Sequence, residues 1–187
     1  MVGLRERSKQ RTRVALEDAA LRLFARDGFD DTTIEAIAAE ADVSARTFFR
    51  YFSTKDQVLF SERELRLADL HDEIVAQPAR LRDLTVLGRA LVAIAPGMEA
   101  DRGHMLLRQQ AVASTPLLRG RLFDVLASWE RTMADGLRAR GSAHAELAAG
   151  LGVAAFRTAM TRWLRASGSA DPLARHLEEA FEEASTL

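Results

Sequence analysis

Apolar residues recur every three or four positions along almost the whole of this chain, and nowhere do they alternate with the two-residue period of a half-buried strand. That constraint admits helices and little else. Only four prolines and eleven glycines interrupt the 187 residues, and Ala, Leu, Arg and Glu dominate. The expected class is therefore all-α. Breakers divide the pattern into about nine helices. These form a short N-terminal three-helix part, residues 1–55, and a larger helical part, residues 56–187.

The same composition excludes several functions. The chain has no cysteine, so disulfides, thiolate catalysis and cysteine-bound zinc are excluded. No apolar run approaches the ~20 residues of a membrane span, and the N-terminus lacks a signal-peptide core, so a cytoplasmic location is expected. The four histidines are well separated, no phosphate-binding glycine loop is present, and no serine-histidine-acid order appears. His144 and Glu146 lack the i, i+4 spacing of a helical metal pair. The sequence therefore offers no catalytic residue, no metal site and no cofactor.

Charge is informative only in its distribution, because the formal net charge is −1. Arg5, Arg7, Lys9, Arg11 and Arg13 crowd the start, opposed only by Glu6. Through residue 60 there are ten basic and ten acidic side chains, so any surface facing nucleic acid must arise from arrangement rather than excess.

Leu16, Ala19, Ala20, Leu23 and Phe24 place an apolar stripe on a first helix that ends at Gly28. Thr32 and Glu35 have capping-box spacing, and Ile34, Ile37, Ala38 and Ala41 give a second helix of about two turns. After the break at Asp42-Val43, Ser44 caps a third helix reaching Phe52. Ser53 and Asp56 open a fourth, expected to run unbroken from Thr54 to about Val75. Later helices are expected over 79–95 before Pro96, 102–113 before Pro116, 117–140 before Gly141, 143–166 before Gly168, and 172–185.

Residues 32–55, TTIEAIAAEADVSARTFFRYFSTK, are two short helices joined by a tight turn. This is helix-turn-helix organisation, in which the second helix enters the major groove. Val43 plugs the turn, and Phe48 and Phe52, four apart, face the core. Ala45, Arg46, Phe49 and Arg50 are left on the outer side. Arg46 is the first candidate for base reading, since a guanidinium donates two hydrogen bonds to guanine O6 and N7. Arg50, one turn later, suits a base or a phosphate.

This stretch resembles the N-terminal DNA-binding domain of the TetR family, from the Gly28-Phe29 helix end through Lys55. The resemblance implies that Thr47 and Tyr51 contact DNA, and that Lys55 binds phosphate together with a helix N-terminus. It places Thr33 in the same role at the second helix, and Ser44 in the DNA-facing set. Three positions depart from the usual family pattern: Asp42 and Arg46 stand where glycine is common, and Phe49 replaces a tyrosine. Aspartate tolerates left-handed backbone angles, so the turn is expected to survive.

Family resemblance also implies a small-molecule pocket and a dimer in the C-terminal part. Candidate pocket walls are Leu67, Leu70, Ile74, Met98, Met105, Leu122, Phe123, Leu126, Trp129 and Met133. Candidate dimer contacts are the strip Ala148, Gly152, Ala155 and Ala159, with Phe156 and Trp163 alongside, and Leu173, Leu177 and Phe181 on the last helix. Residues 157–184 resemble regulators of the mycofactocin-type branch, which implies an acyl ligand of the acyl-CoA kind. The expected protein is thus a homodimeric repressor that binds double-stranded operator DNA and is released by a small apolar effector. The alternative is a ligand-independent DNA-binding or scaffolding protein with no effector pocket.

Overall fold

The computed structural model describes residues 4–60, 63–166 and 171–186, with side chains from residue 7 in the first segment and 66 in the second. Among the described residues there are α-helices and one 3₁₀ turn but no strand. The helices are α1 (Leu4–Asp27), α2 (Ile34–Glu40), α3 (Ala45–Tyr51), α4 (Arg63–Ala76) and α5 (Asp83–Ala100). They continue with α6 (Arg102–Ser114), α7 (Pro116–Ala139), α8 (Ala145–Arg165) and α9 (Leu173–Ser185). Among the described residues, the expected all-α architecture of about nine helices is the one observed.

Several boundaries differ from the expected ones. The fourth helix is not continuous from Thr54: Asp56–Phe60 form a separate 3₁₀ turn, and α4 begins at Arg63. Pro96 lies inside α5 rather than ending it. Its missing N–H removes one backbone bond, while Ala95 and Met98 on either side stay buried. The break expected at Gly168 lies outside the described residues.

Nor is the division into parts contiguous in sequence. The chain forms two compact units, Met1–Ser61 with Gly103–Leu122, and Glu62–Arg102 with Phe123–Leu187. In the first unit the α1 stripe of Leu16, Ala19, Ala20, Leu23 and Phe24 meets Ile37, Ala38, Phe48, Phe52, Val58 and Leu59. Ala111 of α6 and Leu118 of α7 close that core.

The second unit is built by close helix approach. Its largest interfaces are α9 against α8 and α5. A Cβ at Gly88 would stand 3.1 Å from Phe181 Cγ, and one at Gly152 only 2.6 Å from Leu87 Cδ1. Trp129 stacks on Phe156 with centroids 4.7 Å apart. Helix ends are tied by side chains rather than left open. Arg140 donates to the carbonyls of Ile74, Gln77 and Pro78 at the end of α4. Glu99 Oε1 accepts from the Leu173 amide at the start of α9 (2.6 Å).

Two glycines show how closely the helices are packed. A Cβ at Gly136 would lie 2.7 Å from Ile74 Cγ2 and 3.1 Å from Ile74 Cβ, whereas one at Gly120 meets nothing. Ile74 is fully buried and stiff at χ1, so it cannot yield cheaply. Gly120→Ala should raise the melting temperature by up to the equivalent of about 1 kcal/mol from helix propensity alone. Gly136→Ala should lower it despite the same propensity gain, with overpacking costing about 1–3 kcal/mol. Thermal unfolding of the two variants checks the opposite signs.

Candidate nucleic-acid interface

The turn before α3 is made by Asp42, the one non-glycine with positive φ among the described residues (φ 54°). A short polar side chain is among the few that tolerate this region, so the aspartate keeps the turn that glycine commonly makes. The Val43 amide then bonds back to Ala38 O (2.9 Å), and its half-buried side chain packs on the core of the unit.

Ser44 sets where α3 starts. Its Oγ accepts from the Thr47 amide at 3.2 Å and lies 3.1 Å from Thr47 Oγ1. The Thr47 hydroxyl is therefore shared with the cap. Phe48 and Phe52 fix the rotation of the helix, both buried, with ring centroids 5.5 Å apart. As a result Arg46, Phe49 and Arg50 are exposed and Ala45 is half-buried beside them. Phe49 is 55% exposed yet held edge-on against Phe48, with centroids 5.7 Å apart. The Arg50 guanidinium sits 5.2 Å from the centre of the half-buried Tyr51 ring. Two guanidiniums flanking an apolar ring can donate to base edges or phosphates and meet a thymine methyl.

The start of α2 differs by one residue from the sequence expectation. Thr33, not Thr32, is the N-cap, accepting from the Ala36 amide at 3.1 Å. The Thr32 hydroxyl instead donates to Gly28 O at 2.7 Å, which ties the α1–α2 loop. Thr33 remains exposed at the helix N-terminus, where its phosphate role is expected.

Lys55 is engaged within the chain. The ammonium expected on a DNA phosphate is turned inward and donates to the carbonyls of Phe29, Asp30 and Thr32. It also lies 4.3 Å from the Phe29 ring centre. An ammonium has three donors, and here all three have carbonyl partners. Burial pulls its pKa below the usual lysine value, with Asp30 and Asp31 opposing that shift. No sequence signal marks these acceptors, because carbonyls belong to every residue.

The other candidate residues scatter. Of the pocket candidates, Met105 and Leu122 belong to the first unit and the other eight to the second. Leu70, Ile74, Met98, Trp129 and Met133 are buried there, while Leu67 and Leu126 are half-buried. Phe123 is 70% exposed and Leu122 is exposed too, so neither walls a buried pocket within its unit. The expected dimer strip is packed inside its own unit. Ala148, Gly152, Ala155, Phe156, Ala159, Trp163, Leu173, Leu177 and Phe181 are all buried within the single chain. At Gly152 the missing side chain admits Leu87 and Met133 of the same subunit, not a partner helix.

If Lys55 is a clamp, Lys55→Met should cost about 1–3 kcal/mol of stability by leaving carbonyls without a donor. It should leave the salt dependence of DNA binding unchanged. A phosphate-binding lysine gives the reverse pattern, so chemical denaturation and binding at several salt concentrations separate the two roles.

The surface built by α2 and α3 has counterparts among known proteins. Residues 16–61 match the family of bacterial regulatory proteins of the TetR type. A protein of Mycobacterium tuberculosis named as a putative mycofactocin biosynthesis transcriptional regulator is 28% identical over 119 residues. That match covers 64% of this chain and 60% of the relative. The regulator TcmR of Streptomyces glaucescens is 48% identical over 56 residues, covering 30% of this chain and 25% of its own. Among solved structures, Thermus thermophilus FadR is described as a TetR-family transcriptional repressor in complex with lauroyl-CoA. It is 25% identical with a TM-score of 0.59, covering 92% of this chain and 93% of that one. These are regulators, not enzymes. Among the described residues no group of three His, Asp or Glu is placed to hold a metal, and no helix is long and apolar enough to cross a membrane. Residues 16–61 thus carry the pattern of the TetR-type bacterial regulatory proteins, and the chain is similar over more of its length to regulators of that type.

Proposed function

We propose that the protein is a homodimeric repressor that binds operator DNA through α3 and is released by an apolar acyl ligand. The observation that carries the DNA reading is the orientation of α3. Phe48 and Phe52 lock one face inward, so Arg46, Phe49 and Arg50 must point outward together. Ser44, Thr47 and Tyr51 support that face, and Thr33 offers a helix N-terminus to phosphate. Likeness to a FadR structure holding lauroyl-CoA supports the acyl class of ligand. In this reading, ligand shifts the population toward dimers whose recognition helices no longer match one turn of DNA.

The dimer surface in this proposal is the outer face of α8, not its buried strip. Leu147 and Leu151 are 68% and 39% exposed, and the exposed Ala154, Thr158 and Thr161 continue them at alternating spacings of three and four. That is the seam spacing of paired helices. Two exposed leucines one turn apart with small residues beyond them suit a second copy crossing here.

The test is fluorescence anisotropy with DNA from upstream of the protein's own gene, at fixed salt, with and without lauroyl-CoA. Tight binding weakened by the ligand is expected; indifference to it sinks the effector and favours the ligand-independent alternative. Arg46→Ala should cost about 1–3 kcal/mol on the operator and little on unrelated DNA if it reads a base. Changing Leu147 and Leu151 to Glu should give monomers by light scattering and abolish tight operator binding, while the helical circular-dichroism signal persists. A double variant that stays dimeric excludes this face of α8.

A further inference from the structure

The unit that carries α2 and α3 is not made of one stretch of chain. Residues 103–122 belong to it: most of α6, the single linking residue Thr115, and the first turns of α7. Among the described residues 103–122 only Ala111, Thr115 and Leu118 are buried, all of them close to the turn between the two helices. Ala111 and Leu118 enter the core of the unit, and Leu107 and Val112 pack against its edge.

The turn holds its own shape. Thr115 Oγ1 accepts from the Leu117 amide (3.3 Å), Ser114 Oγ donates to Ala111 O (2.7 Å), and Arg119 donates to Ala113 O (3.0 Å). These bonds tie residues 111–119 together as one piece, a plug rather than a loose loop. Its seating is slight by comparison. Among the described residues the larger helix contacts of this unit join α1 to α2, α2 to α3, and α1 to the 3₁₀ turn, and none of them includes α6 or α7. Two ion pairs flank the plug, His104 Nε2 to Asp18 Oδ1 (2.9 Å) and Arg121 Nε to Asp56 Oδ2 (2.8 Å). Both cationic ends are more than a third exposed, where such pairs add little.

What depends on that slight seating is large. α2 and α3 have seven residues each, too few to persist without burial against neighbours. Their buried groups, Ile37, Ala38, Phe48 and the cap Phe52, lie in the same core that Ala111 and Leu118 complete. An element fixed by few buried groups opens at low free energy, and the structure that leans on it opens as well.

We propose that the α6–α7 turn is a removable plug for the DNA-reading helices: seated, it keeps α2 and α3 folded, and withdrawn, it lets them melt and so releases DNA. The inference rests on the DNA reading above and adds a mode of control to it, since loss of order in α3 ends binding without any change in the spacing of two recognition helices. Both helices of the plug run on into the second unit, α6 at Arg102 and α7 from Phe123, so the plug is joined to that unit by helix rather than by loop.

The experiment is hydrogen exchange read by mass spectrometry on the full chain. It compares the parent protein with Leu118→Ala and with Leu91→Ala, a fully buried leucine of α5 in the second unit. Cutting a buried leucine to alanine shifts a folding equilibrium by about 100-fold or more. In Leu118→Ala, exchange across α2 and α3 should therefore quicken by about tenfold or more, while α5, α8 and α9 keep the parent's rates. Leu118→Val, a smaller cut, should give the same pattern at lower amplitude, and Leu91→Ala should leave α2 and α3 unchanged. Operator affinity of Leu118→Ala should fall in step with the folded fraction and recover in trimethylamine N-oxide, which favours burial; affinity lost with a direct contact would not return. The proposal is overturned if α2 and α3 exchange as in the parent, if they quicken equally in Leu91→Ala, or if α5, α8 and α9 quicken with them in both Leu118 variants. Should the parent protein bind no DNA selectively, the DNA reading falls, and the exchange pattern still decides whether the plug holds α2 and α3.

Discussion

Helices of seven residues do not persist alone in water, because nucleation costs more than so few backbone bonds return. α2 and α3 are both that short. Everything the exposed face of α3 does therefore depends on the apolar contact of Phe48 and Phe52 with the α1 stripe. Phe48 is fully buried and Phe52 nearly so, and their spacing of four fixes which residues face out. Rotation of α3 by one residue would bury Phe49 or an arginine instead. The aromatic pair is thus both the stability of the recognition helix and the definition of its reading face.

This explains why the site is legible in the sequence while its support is not. Caps and turns are local chemistry: Ser44 before α3, the left-handed Asp42, and Phe48 with Phe52 all act over a few residues. The three-helix core, however, is not closed by the three helices. Ala111 and Leu118, from more than fifty residues further along, complete it, and the periodicity of their own helices says only that they bury something. Lys55 shows the same limit at one side chain. Its type suits phosphate, but the carbonyls of residues 29–32 that engage it leave no mark in sequence.

The α8 strip shows a related limit. Small residues at helical spacing announce close approach without naming what approaches. At Gly152 the approaching groups are Leu87 and Met133 of the same subunit, which leave no space there for a second copy. The face of α8 left exposed is the less conspicuous one, where Leu147 and Leu151 give way to Ala154, Thr158 and Thr161. Sequence pattern locates the helix correctly, but the stripe it makes conspicuous is the one the chain buries against itself.

Charge follows the same logic of what is already engaged. Exposed pairs such as Arg22–Glu40 and Arg26–Asp27 add little to stability in water. Their larger effect is to remove cations from the surface available to DNA. A domain with so few unpaired positive groups near α3 gains little from phosphates there, so on the proposed reading discrimination by Arg46, Phe49 and Arg50 would not be swamped by non-specific attraction.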